Sequence, residues 1–447
     1  MRRVVITGIG AVSPHGLTIT DLWNGLTAMR SGLALLSAFD PAAFPSRVSG
    51  QVPSFKTTEF VPKSYRKATK IMARDIELAV VAADAAVCDA HLATRGVLET
   101  FGGKKPDDSW FETDPRRLGC NIGAGLICAD LNELTTAMAQ ARMEDGGLSL
   151  EKWGRSKDPA KPSGMDLLTP LWLLKYLPNM LACHVSIIHD AQGPSNTITC
   201  QQASAGLALT EACRTIQRGQ ADMALVGGCE TMVHPMGMMR WTLLKRLTTS
   251  GNENPAAACR PLDQTASGTV LAEGGSVLII EELEQAQKRR AKIYAEVVGL
   301  GASSSARGIA GPDPAGEAMA MAMRKALRNA GISAADVQMV LPCAYAIPAH
   351  DQAEAAALKS VFGSHQPEIV PIRGGIGDAG AGTQALDLAA AAMALREQII
   401  PGAVNCPHPI AALNVPQQTH PAVINHLLIN TGSIAGQNSA VVLRRYY

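Results

Sequence analysis

The feature that most constrains this chain is a strand-to-glycine device that occurs twice, close to three hundred residues apart. "VVITGIGAVS" begins at Val4 and "AEVVGLGASS" begins at Ala295, and each runs strand, Gly, apolar residue, Gly, Ala, one apolar or small residue, Ser. A continuous Val/Ile run that leaves through glycines reads as a strand buried on both faces. A second pair of echoes, "ADMALVGGCE" and "HPAVINHLLINTGS", also runs from strand into small residues.

Between these strands lie Ala-rich segments of helical period: "MARDIELAVVAADAAV", "AGLALTEACRTIQRG", "GEAMAMAMRKALRNAG", "HDQAEAAALKSVFG" and "TQALDLAAAAMALREQ". Strands alternating with helices indicate α/β architecture, and the repetition indicates two similar halves packed on each other. The halves are placed at 1–290, with long insertions, and 291–447. Gly102–Pro115, Asp145–Pro162 and Ser250–Gly268 read as surface loops, and the methionines of "PMGMMRW" as core or interface packing. At 447 residues the chain is longer than one core usually supports, in keeping with that division.

Composition excludes several classes. A formal charge of +1 gives no electrostatic grip on nucleic acid or an anionic membrane. Ten cysteines stand singly, with no CxxC pair and no Cys/His ligand spacing, so neither a metal site nor a disulfide scaffold is expected. Reduced thiols point to the cytoplasm. The apolar N-terminal run is too short for a signal peptide, and the longest apolar stretch is broken by Pro170, Lys175 and Pro178, so no membrane partner is expected.

The stretch "SNTITCQQASAGLALTEA", Ser195 to Ala212, runs from a strand into a helix expected to begin near Ala203. Cys200 is its obvious nucleophile candidate. The helix dipole would act on Gln202 or Ala203 more directly than on Cys200, which is therefore read as a buried thiol still within the strand.

With these segments in view, the chain resembles β-ketoacyl-ACP synthases over nearly its whole length. The markers are "RRVVITGIGAVSPHG", "QGPSNTITC", "IQRGQADMALVGGCE", "CRPLDQTASGTVLAEGGSVLIIEELEQAQKRRAKIYAEVVG", "DQAEAAALKSVFG" and "NSAVVLRR". The resemblance implies the thiolase-like fold, two similar halves in a layered αβαβα architecture. It also implies a nucleophile in a T-A-C-(A/T)-S-G turn, two histidines that polarise the thioester, and a lysine that orders the site. Aligned without a gap between its GPS and GxAD anchors, this chain places Gln202 on the nucleophile. Gly308 falls at the first histidine, Cys343 at the second, and Arg373 at the lysine, with Asp378 five residues on. Gly432 and Ile434 fall where the family's gating loop often carries phenylalanine. His350 lies seven residues beyond Cys343 and is read as a surface or helix-start histidine.

Within the family, this combination is similar to the chain-length factor, or ketosynthase β subunit, of type II polyketide synthases. That resemblance implies a heterodimer with a catalytic ketosynthase α subunit and service to an acyl carrier protein bearing a phosphopantetheine-bound chain, with no cofactor. The pocket closing the acyl tunnel is placed at Ala129, Leu131, Asn132 and Thr136. Three alternatives stay open: a malonyl-ACP decarboxylase using Gln202, an active ketosynthase using Cys200, and a docking scaffold.

Overall fold

The computed structural model, which describes residues 2–158 and 160–447, places both echoes side by side at the centre of one mixed ten-stranded sheet. Pro159, in the loop expected over Asp145–Pro162, lies outside the described residues. In the first half the strands are β1 (Val4–Val12), β2 (Leu118–Ala124), β3 (Ser195–Ile198), β4 (Met223–Thr231) and β5 (Glu273–Glu282). In the second they are β6 (Ala295–Ser304), β7 (Met339–Leu341), β8 (Glu368–Ile369), β9 (His426–Gly432) and β10 (Gln437–Arg444).

The order is β3-β2-β4-β5-β1 in one half and β8-β7-β9-β10-β6 in the other. Each half pairs its first three of these strands in parallel and the rest antiparallel. The halves join where β1 meets β6 antiparallel, Val4 opposite Val297 and Ile6 opposite Ala295. The two halves thus share one topology, the thiolase-like arrangement.

The glycines of the repeated device have a packing reason. Helix α1 (Arg74–Asp89) crosses β1 so closely that a Cβ on Gly10 would collide with the Ala82 carbonyl, and one on Gly8 with that of Ala86. In the second half a Cβ on Gly301 or Gly299 would strike the carbonyls of Ala322 or Ala326, on a helix over Glu317–Ala330. Alanine on the helix and glycine on the strand permit this approach, so the same four small residues recur in both halves.

Five further helices bear on the site: α2 (Leu131–Ala141), α3 (Met180–His189), α4 (Ser204–Gln217), α5 (Pro235–Leu243) and, after the Glu317–Ala330 helix (α6), α7 (Pro348–Phe362). An eighth, α8 (Thr383–Glu397), is buried from Thr383 to Leu395 on every face. Helices α4 and α8 lie between the two halves of the sheet and touch strands of both, while α1 and α6 cover the outer faces. Thirteen consecutive buried residues, polar only at Thr383, Gln384 and Asp387, are what a helix in a central layer requires. The methionine cluster opens α5, with Met238 in the core and Met236 and Met239 at the surface. Among the described residues no helix is long and apolar enough to cross a membrane, and no group of three His, Cys, Asp or Glu could hold a metal ion.

Candidate functional site

Beyond β3 the chain makes a single 3₁₀ turn, Gln201–Ala203, and enters α4 at Ser204. Gln201 adopts φ 50°, a left-handed conformation that a non-glycine residue holds only when its surroundings require it. The next side chain is thereby driven inward. Gln202 is 1% exposed, and its Nε2 donates to Asp378 Oδ2 at 2.9 Å. Its Oε1 is buried without a hydrogen-bond partner.

Asp378 is held in turn, because its Oδ1 accepts from Gly380 N at 3.0 Å and from Thr383 Oγ1 at 2.9 Å. One of the two N–H donors of the Gln202 amide is therefore held by a fixed carboxylate. The position of Cys200 corrects the expectation from sequence. Strand β3 ends at Ile198, so Cys200 lies two residues beyond it, and the thiol is partly exposed rather than buried. Its backbone N donates to Ser204 Oγ at 2.8 Å, and burial pushes the thiol up, away from the nucleophilic thiolate.

Arg373 is 1% exposed. It donates to Asp387 Oδ2 at 2.9 Å and to the Pro342 carbonyl at 2.9 Å, leaving Nε unpartnered. Burial lowers the guanidinium pKa, Asp387 together with Cys343, Asp378 and Tyr345 outweighs that, and the net shift is upward. Asp387 is pushed up to about 6 by burial, with Arg373 opposing. The arginine is a brace between α8 and the residue preceding Cys343, not a free cation over Gln202.

Cys343 ends the β7 segment with its backbone N donating to Glu354 Oε1 at 2.7 Å and its Sγ donating to the Gly432 carbonyl at 3.3 Å. Glu354, on α7, also takes Ala344 N at 2.7 Å and Asn430 Nδ2 at 2.6 Å. Burial raises the Glu354 carboxyl while those donors oppose it, and burial pushes the Cys343 thiol well up. A thiol in this setting neither ionises nor does a histidine's work.

Two residues on, Tyr345 is buried and its hydroxyl donates to the same Gly432 carbonyl at 2.5 Å. Its ring meets His350 edge-on, with centroids 5.6 Å apart. His350 is indeed in the first turn of α7, but it is buried rather than at the surface, with Nε2 unpartnered. Burial, with Arg246 adding, lowers its pKa to about 4, so the imidazole is neutral at physiological pH. The reason is local: Pro348 starts the helix, and its first turn faces the Tyr345 ring.

Gly308, Gly432 and Ile434 line one small cavity with Tyr345, His350 and Glu354, of about 30 Å³. Gly308 sits at φ 55° facing open space, whereas a Cβ on Gly432 would meet Asn438 Oδ1 at 2.7 Å. Leu131 and Asn132 line a different cleft, of about 520 Å³, with Phe39, Cys128, Tyr176 and His234. Ala129 is half-buried beside it, and Thr136 lies exposed along α2. The structure thus brings Gln202, Arg373 and Cys343 around Asp378, groups Gly308, Gly432 and Ile434 next to them, and sets the α2 residues apart.

Tyr345, Glu354 and Asp387 escaped the sequence reading as site residues. Glu354 lay within the quoted "DQAEAAALKSVFG", but nothing in spacing told that its carboxylate turns back onto the backbone of Cys343 and Ala344.

Comparison with known proteins places this geometry. Residues 1–286 match the model of the β-ketoacyl synthase N-terminal domain and residues 294–407 that of the C-terminal domain. Proteins named 3-oxoacyl-[acyl-carrier-protein] synthase 2 from Coxiella burnetii and from Rhizobium meliloti are each 30% identical, over 100% of this chain and 99% of their own. Among solved structures, a type II polyketide synthase acyl-carrier protein in complex with its ketosynthase bound to the hexaketide is 25% identical at a TM-score of 0.81, covering 100% of both chains. The ishigamide ketosynthase/chain length factor, at 24% identity and a TM-score of 0.81 over 100% of both chains, shares the fold.

Proposed function

The chain belongs to the β-ketoacyl synthase family, and from that membership we propose that it is a non-condensing subunit of the chain-length-factor kind. The observation that carries the proposal is Gln202. It stands at the nucleophile turn, 1% exposed, with its amide nitrogen bound to Asp378 and with no imidazole hydrogen-bonded to either residue. An amide is no nucleophile towards a thioester, so Gln202 takes up no acyl group, and one of its two N–H donors is held by Asp378. Condensation needs a nucleophile that this arrangement does not supply.

The remaining role is steric, exercised on a chain carried by a partner. Strand β3 forms an open edge of the sheet, with Thr197 N donating to the Asn196 side chain at 2.8 Å instead of to β2. Ile187, on the helix α3 that packs against β3, is exposed at 54%, and Leu126, two residues past the end of β2, at 62%. An unpaired edge with an apolar surround is a surface for another chain. The occupant we propose is a catalytic ketosynthase of the same fold, which carries the growing acyl group handed over by an acyl carrier protein. The cleft beside Leu131 and Asn132, near the start of α2, would then bound the acyl tunnel. Forcing one more unit against a packed wall costs about 1–3 kcal/mol, enough to favour release at a set length.

The test loads an acyl carrier protein with malonyl and with a short acyl chain. Each is mixed with this protein, with and without the proposed partner, and intact masses are recorded. The proposal expects this chain to stay unmodified and malonyl to persist on the carrier without the partner, with extension only in the full mixture. An acyl adduct at Cys200, or loss of CO₂ from malonyl carrier with this chain alone, would make it an enzyme in its own right.

A further inference from the structure

Tyr345 is not among the residues that the family's catalytic pattern would single out, yet it is held against the end of β9, the strand on which the Gln202 turn packs. Tyr345 is flanked by two alanines in the left-handed region, Ala344 at φ 47° and Ala346 at φ 60°. Two such residues around a buried aromatic indicate a backbone held in place by its surroundings and not by local preference. What they hold inward is a ring 3% exposed, its hydroxyl bonded to the Gly432 carbonyl.

That carbonyl also receives the Cys343 thiol, so one acceptor ties the end of the β7 segment to the loop after β9. Gly432 brings no side chain, and one there would strike Asn438 and Met319, so the tyrosine reaches the bare backbone. Behind the ring stands His350, edge-on and held neutral. In front, the space shared by Tyr345, Gly308, Gly432 and Ile434 is about 30 Å³, room for a single water.

We propose that Tyr345 is a plug that bars a pantetheine thioester from the Gln202 turn, so that this chain stays closed to acyl carriers whatever residue stands at 202. The inference rests on the non-condensing reading above and adds a physical barrier to the chemical loss. It also implies that restoring a nucleophile is insufficient to restore acyl transfer.

The experiment uses the full chain carrying Gln202→Cys, alone and with the proposed ketosynthase partner. It is treated with iodoacetamide and, separately, with chloroacetyl-pantetheine, and labelled thiols are mapped by peptide mass. Cys200, partly exposed two residues away, serves as the internal control. With Tyr345 in place, the introduced thiol should label at least tenfold more slowly than in Gln202→Cys/Tyr345→Ala, while Cys200 labels alike in both. Tyr345→Leu keeps most of the packing and gives the same comparison should the alanine variant fail to fold. Equal labelling of the introduced thiol with and without Tyr345 would overturn the plug. That result would leave the non-condensing reading standing, since the latter fails only if the unaltered chain acquires acyl mass or decarboxylates malonyl carrier.

Discussion

Arg373, which the family resemblance aligns with a lysine, is a structural brace here, and that role can be measured. Arg373→Met removes one partner of an ion pair in which both side chains are 1% exposed. Breaking such a pair from one side leaves a buried charge uncompensated, at a cost of about 3–5 kcal/mol. Unfolding entropy of about 2.1 cal/mol/K per residue, taken over a chain of this length, is about 0.9 kcal/mol/K. A loss of about 4 kcal/mol therefore lowers Tm by about 4 °C. Arg373→Met/Asp387→Leu removes both charges and should recover most of it, because the desolvation of the pair is removed too.

The deficit of the single variant should also depend on pH. Asp387 titrates near 6 with the arginine present, and without it the folded-state value rises further above the unfolded one. A carboxyl raised on folding contributes stability at low pH that is lost as pH rises, so Arg373→Met should suffer less at pH 5 than at pH 8. Differential scanning calorimetry of the wild type, both single variants and the double variant at those two pH values tests this. A single variant within about 1 °C of wild type at pH 8, or a double variant no better than Arg373→Met, would refute the brace. Arg373→Lys, which restores the family residue, should gain no condensing activity.

Other expectations follow from the same geometry. Burial pushes Glu230 up to about 8, Asp351 to about 8 and Asp75 to about 7, so the folded chain keeps protons that the unfolded chain releases near pH 4. His189 and His350, lowered by burial to about 4, work the opposite way but only below about pH 6.5. Tm should therefore fall between pH 6.5 and 8.5, less steeply in Glu230→Gln, and a flat or rising profile for the wild type would contradict this. Asn132→Trp, at an exposed position on α2, should leave stability within about 0.5 kcal/mol and shorten the product made with the ketosynthase partner. Unchanged product length with intact pairing, read by mass spectrometry and gel filtration, removes Asn132 from the tunnel. Thr197→Pro, in the edge strand β3, removes the N–H that donates to Asn196 and should abolish pairing; retained pairing would place the partner elsewhere.

The architecture was legible because it depends on local, periodic signals. Glycines in β1 and β6 met by alanines in α1 and α6 leave a mark in sequence, since each close approach excludes any larger residue at a known spacing. The proposed replacement of the nucleophile rests on the same kind of signal, a residue type at an anchored distance from GPS. Cys200 was misplaced because a strand end cannot be read to two residues from composition alone, and the left-handed Gln201 that ends the extended segment carries no glycine to announce it.

By itself the sequence determined that this chain folds as two similar α/β halves. The alignment of Gln202 with the nucleophile, and of Gly308 and Cys343 with the histidines, rests on resemblance alone. Tertiary structure alone decided what those replacements do. Gln202 is bonded to Asp378, a residue 176 positions away, and Arg373 turns to Asp387. Tyr345 bonds a carbonyl 87 positions on. The physical reason is that residue identity limits which bonds a side chain can make, whereas the partner it finds depends on which distant segments the central layer of α4 and α8 brings within 3 Å of it.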